Sequence, residues 1–239
     1  MEKAYKKEEN ISYTFGAFPT MELLQNKIDK VTKLIIHEKL DASSEDLENI
    51  LNLAKKNNVP IERNGKLIEK LSKKGNVYIV GVFKKYEMQV DNKKPQVVLV
   101  NPSDMGNLGT IIRVMTGFGI KDLVVITPCV DYFDPKVIRA SMGSIFHINI
   151  QAFSSFEEYE KVNKNPKYPF MLQASTSLAK LENIVEPYSL VFGNEATGLS
   201  DSYLQKGTPL IIKHSHDIDS LNLSMSVGIA LFHFTKSKF

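Results

Sequence analysis

The spacing of apolar and polar residues changes several times along this 239-residue chain. In the first third, KLIIHE (residues 33–38) is a short apolar run of strand length. SSEDLENILNLAKKNN (43–58) follows, with Leu47, Ile50, Leu51 and Ala54 at i, i+3, i+4 and i+7, the spacing of one buried helix face. Ser43 with Asp46 has the form of a capping box, and Asn57-Asn58 ahead of Pro60 stops the helix. GKLIEKLSKK (65–74) predicts a second short helix and VYIVGVF (77–83) a second strand. EMQVDNKKPQ (87–96) is polar, holds a proline and separates two apolar strands, which marks a linker. The expected division is a first domain over 1–88, a linker over 89–96 and a second domain over 97–239.

Beyond the linker, strand candidates alternate with helical stretches: QVVLV (96–100), DLVVIT (122–127), IFHINI (145–150), PFMLQAS (169–175), SLVFG (189–193) and PLIIK (209–213). SLNLSMSVGIALFHFTK (220–236) closes the pattern as a helix that is apolar nearly all round, and so is expected to be buried. The alternation predicts an α/β domain with a largely parallel sheet covered on both faces. Ligands of such sheets bind beyond the carboxyl ends of strands, so informative residues should lie just after strands.

Composition adds little to this picture. Hydrophobic residues at 43% and charged residues at 24% are ordinary for a globular protein. No apolar stretch approaches the roughly 18–20 residues of a membrane span. The N-terminus MEKAYKKEEN lacks an apolar core for a signal peptide, and the single cysteine, Cys129, leaves no internal disulfide. A cytoplasmic location is the expectation. The net charge of +3 is small, but its excess is N-terminal: residues 1–95 hold 18 Lys/Arg against 14 Asp/Glu, and the remainder 12 against 13. Doublets such as Lys55-Lys56, Lys73-Lys74 and Lys84-Lys85 read either as solvated helix ends or as a phosphate-contacting face.

Three loops after strands carry the candidate chemistry. In NPSDMGNLGTIIR (101–113) the glycines fit neither a dinucleotide fingerprint nor a Walker loop. A helix is expected to start near Asn107 and bury Leu108, Ile111, Ile112 and Met115. Arg113 then lies about 140° round from Leu108 at 3.6 residues per turn. Arg113 is thus either a solvated arginine or one aimed at an anion, with Asn107 at the helix mouth. In LVFGNEATGLS (190–200), Gly193 permits close backbone approach, and Glu195 is either a solvated turn residue or a polar anchor. In IIKHSHDIDSLNLSMSVGIALFHF (211–234), Ser220 is the expected N-cap of the last helix. Asn222 is expected in its first turn, as a buried amide satisfied structurally or facing a ligand.

Together NPSDMGNLGTIIR, LVFGNEATGLS and SLNLSMSVGIALF resemble motifs 1, 2 and 3 of the SpoU (TrmH-like) branch of SPOUT RNA methyltransferases, over about residues 96–239. The front part resembles the L30e-like RNA-binding domain that often precedes this catalytic domain. The resemblance implies a SPOUT-type parallel sheet with a C-terminal trefoil knot, a homodimer, and S-adenosylmethionine-dependent 2'-O-methylation of an RNA ribose. It implies Asn107, Arg113, Glu195, Ser220 and Asn222 as the catalytic set, and Gly193, Asn194, Gly198, Leu199, Ile212 and Leu221 as cofactor-binding residues. Arg113 would grip a phosphate and stabilise alkoxide charge, reaching the partner chain's cofactor, because a guanidinium is a poor base. Glu195, or a water it orders, would accept the proton. Asn107 and Asn222 would hold ribose and loop geometry, and Ser220 would meet substrate. Ribosomal RNA is favoured over transfer RNA as substrate, with no DNA and no membrane partner.

One departure stands out. The family's Ile-Pro-Met is Ile212-Lys213-His214 here, and SHDID fills a stretch that is normally small and glycine-containing. His214, His216 and Asp217 form a conceivable metal trio, though no other ligand cluster supports it. His37, His147 and His233 read as strand or helix packing. The rivals are an RNA-binding protein that keeps the fold without catalysis, and a nucleotide-binding α/β enzyme, against which the missing phosphate loop counts.

Overall fold

The computed structural model describes residues 3–40, 45–72 and 76–238. Ser43 of the expected capping box and the Lys73-Lys74 doublet lie outside the described residues. In chain order the principal elements are β1 (Ile11–Phe15), α1 (Ala17–Asn26), β2 (Val31–Ile36), α2 (Glu45–Lys56), β3 (Ile61–Arg63), α3 (Gly65–Ser72) and β4 (Ile79–Lys84). There follow β5 (Gln96–Val100), α4 (Met105–Gly117), β6 (Asp122–Ile126), α5 (Pro135–Ala140), β7 (Asn149–Phe153), α6 (Phe156–Val162) and β8 (Lys167–Pro169). The last are β9 (Thr176–Ser177), β10 (Ser189–Phe192), β11 (Leu210–Ile211) and α7 (Leu223–Thr235).

Two compact units form, Met1–Glu87 with Asp131–His147, and Met88–Val130 with Ile148–Phe239. The first contains a mixed sheet in the order β1-β4-β2-β3. β4 pairs antiparallel with β1 and β2, and β2 pairs parallel with β3. The helical spacing of α2 places Ile50 and Ala54 in a core with Leu24, Leu34, Ile36 and Ile79, while Leu47 and Leu51 are half-buried. β1 is less obvious in sequence because two of its buried positions are hydroxyls. Thr14 Oγ1 accepts from the Gly81 N–H at 3.0 Å, and Ser12 Oγ donates to the Phe133 carbonyl at 2.6 Å. Hydrogen bonds of this kind offset the desolvation cost of polar side chains at core positions.

The segment Asp131–His147 belongs to this first unit and not to the second, where the pattern of the chain had placed it. Its aromatic residues explain why. Phe133 meets Phe83 and Tyr86 at ring distances of 6.0 and 5.0 Å, and Phe146 meets Phe83 at 5.4 Å. Asp131 accepts from the Tyr5 hydroxyl and pairs with Lys85 at 3.2 Å. IFHINI is not one strand: Ser144–His147 is a 3-10 turn, and β7 starts at Asn149. His147 is accordingly exposed, and its ring pairs with Glu22. His37 follows β2 and meets Tyr78 edge-on at 5.7 Å.

The second unit is built on a five-stranded sheet in the order β7-β6-β5-β10-β8, with every pair parallel. Val97–Leu99, Leu123–Val125 and Leu190–Val191 are fully buried, the continuous apolar runs that a sheet covered on both faces requires. The chain runs from β5 outward through β6 to β7, while β10 and β8 lie on the other side of β5. The topological switch therefore falls between β5 and β10, where ligands of such sheets bind. PFMLQAS does not form a strand. β8 ends at Pro169, Phe170 keeps a single bridge to Leu210, and β9 with β11 makes a separate two-stranded parallel pair. Met171 and Ala174 are buried but three residues apart, a turn spacing and not a strand alternation.

Against the expected burial of the last helix, α7 is covered on only part of its surface. Val227, Ala230, Leu231 and Phe234 are buried, yet Met225, Ile229 and Phe232 are 60%, 39% and 63% exposed. These three stand at i, i+4 and i+7, one stripe of the helix. Its other faces pack on neighbours that include α4, and a Cβ added to Gly228 would come into ordinary contact with Val114. No helix among the described residues is long and apolar enough to cross a membrane.

Candidate active site

β5 and β10 lie side by side in register, Val98 opposite Val191 and Leu99 opposite Phe192, so their following loops emerge together. The loop after β10 turns back sharply. The Gly198 N–H donates to the Asn194 carbonyl at 2.9 Å, and Gly198 takes a φ of +66°, a conformation suited to glycine. A Cβ on Gly193 would overlap the Gly198 carbonyl group and the Leu199 nitrogen, so only glycine fits there. Asn194 stiffens the turn: Oδ1 accepts from the Ala196 N–H at 2.9 Å, and Nδ2 donates to the Asn101 carbonyl in the β5 loop at 2.8 Å.

Glu195 joins the two loops. Its carboxylate accepts from the Ser103 N–H at 3.0 Å, the Ser103 hydroxyl at 2.8 Å and the Asp104 N–H at 3.1 Å, with Asn107 Nδ2 at 3.5 Å. Partial burial pushes this carboxyl up. The hydrogen bonds from Ser103, its own backbone and Asp104 outweigh burial and hold it below the ordinary carboxylate range.

α4 starts at Met105, two residues before the expected Asn107, because Asp104 is its N-cap and accepts from the Asn107 N–H at 2.6 Å. The N-cap of α7 is Asn222 and not Ser220: Asn222 Oδ1 accepts from the Ser224 N–H at 2.9 Å and the Met225 N–H at 3.4 Å. Asn222 is therefore an exposed capping residue, not a buried amide of the first turn. Its Nδ2 donates to Asn107 Oδ1 at 3.0 Å. A continuous chain thus runs from the start of α7 through Asn222, Asn107 and Glu195 to Ser103 and Asp104.

Beside this chain lies a cavity. Its walls include Phe170, Met171, Phe192, Ile211 and Leu223, and its rim the loop from Gly193 to Leu199. Of the expected residues, Gly193, Asn194, Glu195, Gly198, Leu199, Ile212, Ser220 and Leu221 all line it. Asn107 and Asn222 sit outside the lining, joined to it through Glu195. Arg113 is not among the lining either. It is exposed on α4 and makes no hydrogen bond or ion pair among the described residues. Ser103 and Asp104 went unnoticed in the sequence, although an Asp three residues ahead of Asn107 is a capping signal. Phe170–Gln173 were hidden by their reading as a strand. No cluster of His, Cys, Asp and Glu able to hold a metal occurs among the described residues. In the suspected trio, Asp217 accepts from the Ser215 hydroxyl, and His214 turns toward the Ile212 carbonyl.

Residues 94–232 match the SpoU rRNA Methylase family. The chain belongs to this family. Among its relatives are an uncharacterized tRNA/rRNA methyltransferase of Synechocystis, 31% identical over 57% of this chain and 51% of the relative, and the 23S rRNA (adenosine(1067)-2'-O)-methyltransferase of Streptomyces laurentii, 31% identical over 56% and 52%. The Bacillus subtilis 23S rRNA (guanosine(2553)-2'-O)-methyltransferase RlmP is 28% identical over 58% of this chain and 57% of its own length. The chain spans about half the length of these curated relatives. An AdoMet-bound rRNA methyltransferase from Sinorhizobium meliloti superposes with a TM-score of 0.81 at 23% identity, covering 96% of this chain and 88% of that one. At that identity the match establishes a shared fold, the α/β class expected from the sequence. In this SpoU chain the three motif loops meet at the switch point of the parallel sheet.

Proposed function

We propose that this chain methylates a ribose 2'-hydroxyl of ribosomal RNA, with S-adenosylmethionine as methyl donor. The observation that carries the reading is the lining of the cavity. It contains no Lys or Arg, and Glu195 is its only carboxylate. A nucleotide with phosphates would find no cation there, whereas a phosphate-free nucleoside with a cationic sulfonium needs none. The residues therefore fit the cofactor. Apolar side chains such as Met171, Ile212 and Leu221 would hold its nucleoside and methionine parts, and the tight Gly193–Leu199 backbone would meet its polar edges. When bound, the cofactor supplies an electrophilic methyl group. The names of the Streptomyces and Bacillus relatives, all 23S rRNA 2'-O-methyltransferases, support the substrate class.

The protein's own contribution is orientation and charge. Glu195 is a poor proton acceptor, because its lone pairs are engaged and its carboxyl is held below the ordinary range. Its role is to lock the β5 loop to the β10 loop, which places Asn107 and, through it, Asn222. These amides hold the substrate edge of the site, and Ser220 meets the RNA. Arg113, charged and unpaired, clamps the phosphate beside the target ribose and stabilises negative charge developing on the hydroxyl oxygen, whose proton passes to solvent water. Since Arg113 does not line the cavity of its own chain, and α7 carries the exposed stripe Met225, Ile229 and Phe232, the working form is a homodimer in which Arg113 serves the partner's cavity. The first unit, an L30e-like domain carrying the N-terminal excess of basic residues, adds affinity for structured RNA through phosphate contacts. The bacterial relatives named for 23S rRNA support a cytoplasmic location.

The test is transfer of labelled methyl from S-adenosylmethionine to total RNA from a strain lacking this gene, with Arg113→Ala alongside. Label in the ribosomal RNA, resistant to alkali at the modified linkage and lost in the variant, is the expected result. Absence of label in every RNA, with no cofactor binding, would leave a non-catalytic RNA-binding protein.

A further inference from the structure

His214 is among the side chains of the cavity that have no part in the scheme above. From Lys213 to Ser220 every residue is exposed except His214, which is half-buried and lines the cavity. Its Nδ1 lies 3.0 Å from the carbonyl oxygen of Ile212. A carbonyl oxygen only accepts, so Nδ1 carries the proton of that bond. In the neutral ring Nε2 is then a bare lone pair, and its direction is fixed by the tether two residues upstream. Asn194 and Glu195, the strongest polar groups near the rim, are occupied by the loops they hold. Nε2 of His214 is not so occupied: among the described residues its ring makes only the Ile212 bond.

We infer that His214 is a cofactor-binding residue, its Nε2 accepting a hydrogen bond from an N–H or O–H donor on the nucleoside part of the cofactor. This rests on the cavity being the cofactor site. A tethered imidazole loses little rotamer freedom on binding, so the hydrogen bond adds to affinity with a small ordering cost. An aliphatic residue at this position offers contact without an acceptor. Lys213-His214 thus stands where the resembled pattern has Pro-Met, and supplies a side chain that reads the ligand.

The experiment is calorimetric titration of the full chain with S-adenosylhomocysteine, without RNA, for wild type, His214→Leu and His214→Gln, each first matched to wild type in thermal unfolding. Expected are binding by wild type, about tenfold weaker binding by the leucine variant (about 1.4 kcal/mol), and recovery of most of that loss by glutamine, which restores an acceptor. S-inosylhomocysteine, which has a carbonyl in place of the adenine amine, then separates the donors. If wild type and His214→Leu bind it equally, the amine is the donor; if the tenfold gap persists, the donor lies elsewhere on the nucleoside. Leucine binding within twofold of wild type, or glutamine no better than leucine, overturns the inference. Wild type that does not bind at all overturns the cofactor reading itself, and is recognised because all three proteins are then silent.

Discussion

Asn222 does two things with the two ends of one amide. Its oxygen caps α7, and its nitrogen holds Asn107. The two roles separate by substitution. Asn222→Ala removes both and should lower stability by about 1 kcal/mol, the usual worth of an N-cap, or roughly 2–4 °C in Tm for a chain of this size. Asn222→Asp keeps the capping oxygen but cannot donate to Asn107. It should melt near wild type and transfer methyl at least about tenfold more slowly, as expected when one charge-orienting contact of 1.4 kcal/mol is lost. An aspartate variant with the wild-type rate would show that the Asn222–Asn107 bond is not needed. Glu195 gives a pH signature. Its carboxyl is held lower in the folded chain than in the unfolded one, so the stability it contributes is complete above the unfolded value, roughly 4.3. That contribution is lost as the pH falls through the lower folded value. Glu195→Gln lacks it at neutral pH, so its Tm should already be lower there and the gap to wild type should close on acidification. Parallel Tm curves for the two proteins between pH 7 and 3 would contradict this. Asn107, Glu195 and Asn222 were each legible as polar residues after strands or at helix starts, but it was the resemblance to the three SpoU motifs that joined them as a set. The capping assignment was off by two residues, because Ser220 and Asn222 are both good caps by type, and only backbone geometry chooses between them.

At the scale of elements, periodicity served where burial is one-sided or complete. α2 has one apolar stripe, and β5, β6 and β10 are continuous apolar runs. It failed where structure is short or locally held. Phe170–Gln173 has the look of a strand in sequence but is a turn that lines the cavity, and β1 conceals two core positions as Ser12 and Thr14. In α7 the difficulty was the opposite. A helix apolar all round reads as buried, yet Met225, Ile229 and Phe232 stand exposed. A stripe of that kind is what an association face looks like in a single chain. If it joins two copies, Ile229→Asp with Phe232→Asp should give a folded protein of half the wild-type mass by light scattering. The same variant should be inactive, since Arg113 would then have no partner cavity to serve. A wild type that is already monomeric and active at nanomolar concentration would remove the need for the dimer.

At the scale of the whole molecule, the chain divides at its linker, between Glu87 and Met88, but not there alone. A sequence cut near residue 88 treats everything after it as one folding unit, and no local pattern contradicts that. Long-range packing does, because Asp131–His147 leaves the second unit and completes the first. Phe133 and Phe146 are 4% and 2% exposed, and their ring partners Phe83 and Tyr86 precede the linker. α5 likewise packs on β1. A fragment spanning 88–239 would therefore keep its parallel sheet and three motif loops but strip the cover from α5 and the turn after it. Uncovering the two phenylalanines alone costs roughly 3–6 kcal/mol, a large share of the 5–15 kcal/mol that holds a typical domain folded. The fragment should express as aggregates or unfold at far lower denaturant than the full chain, and replacing Phe133 and Phe146 by polar residues should partly restore its solubility. A fragment that is monodisperse and binds S-adenosylhomocysteine as the full chain does would mean that residues 131–147 find other cover, and that the boundary written in the sequence is also the boundary of folding.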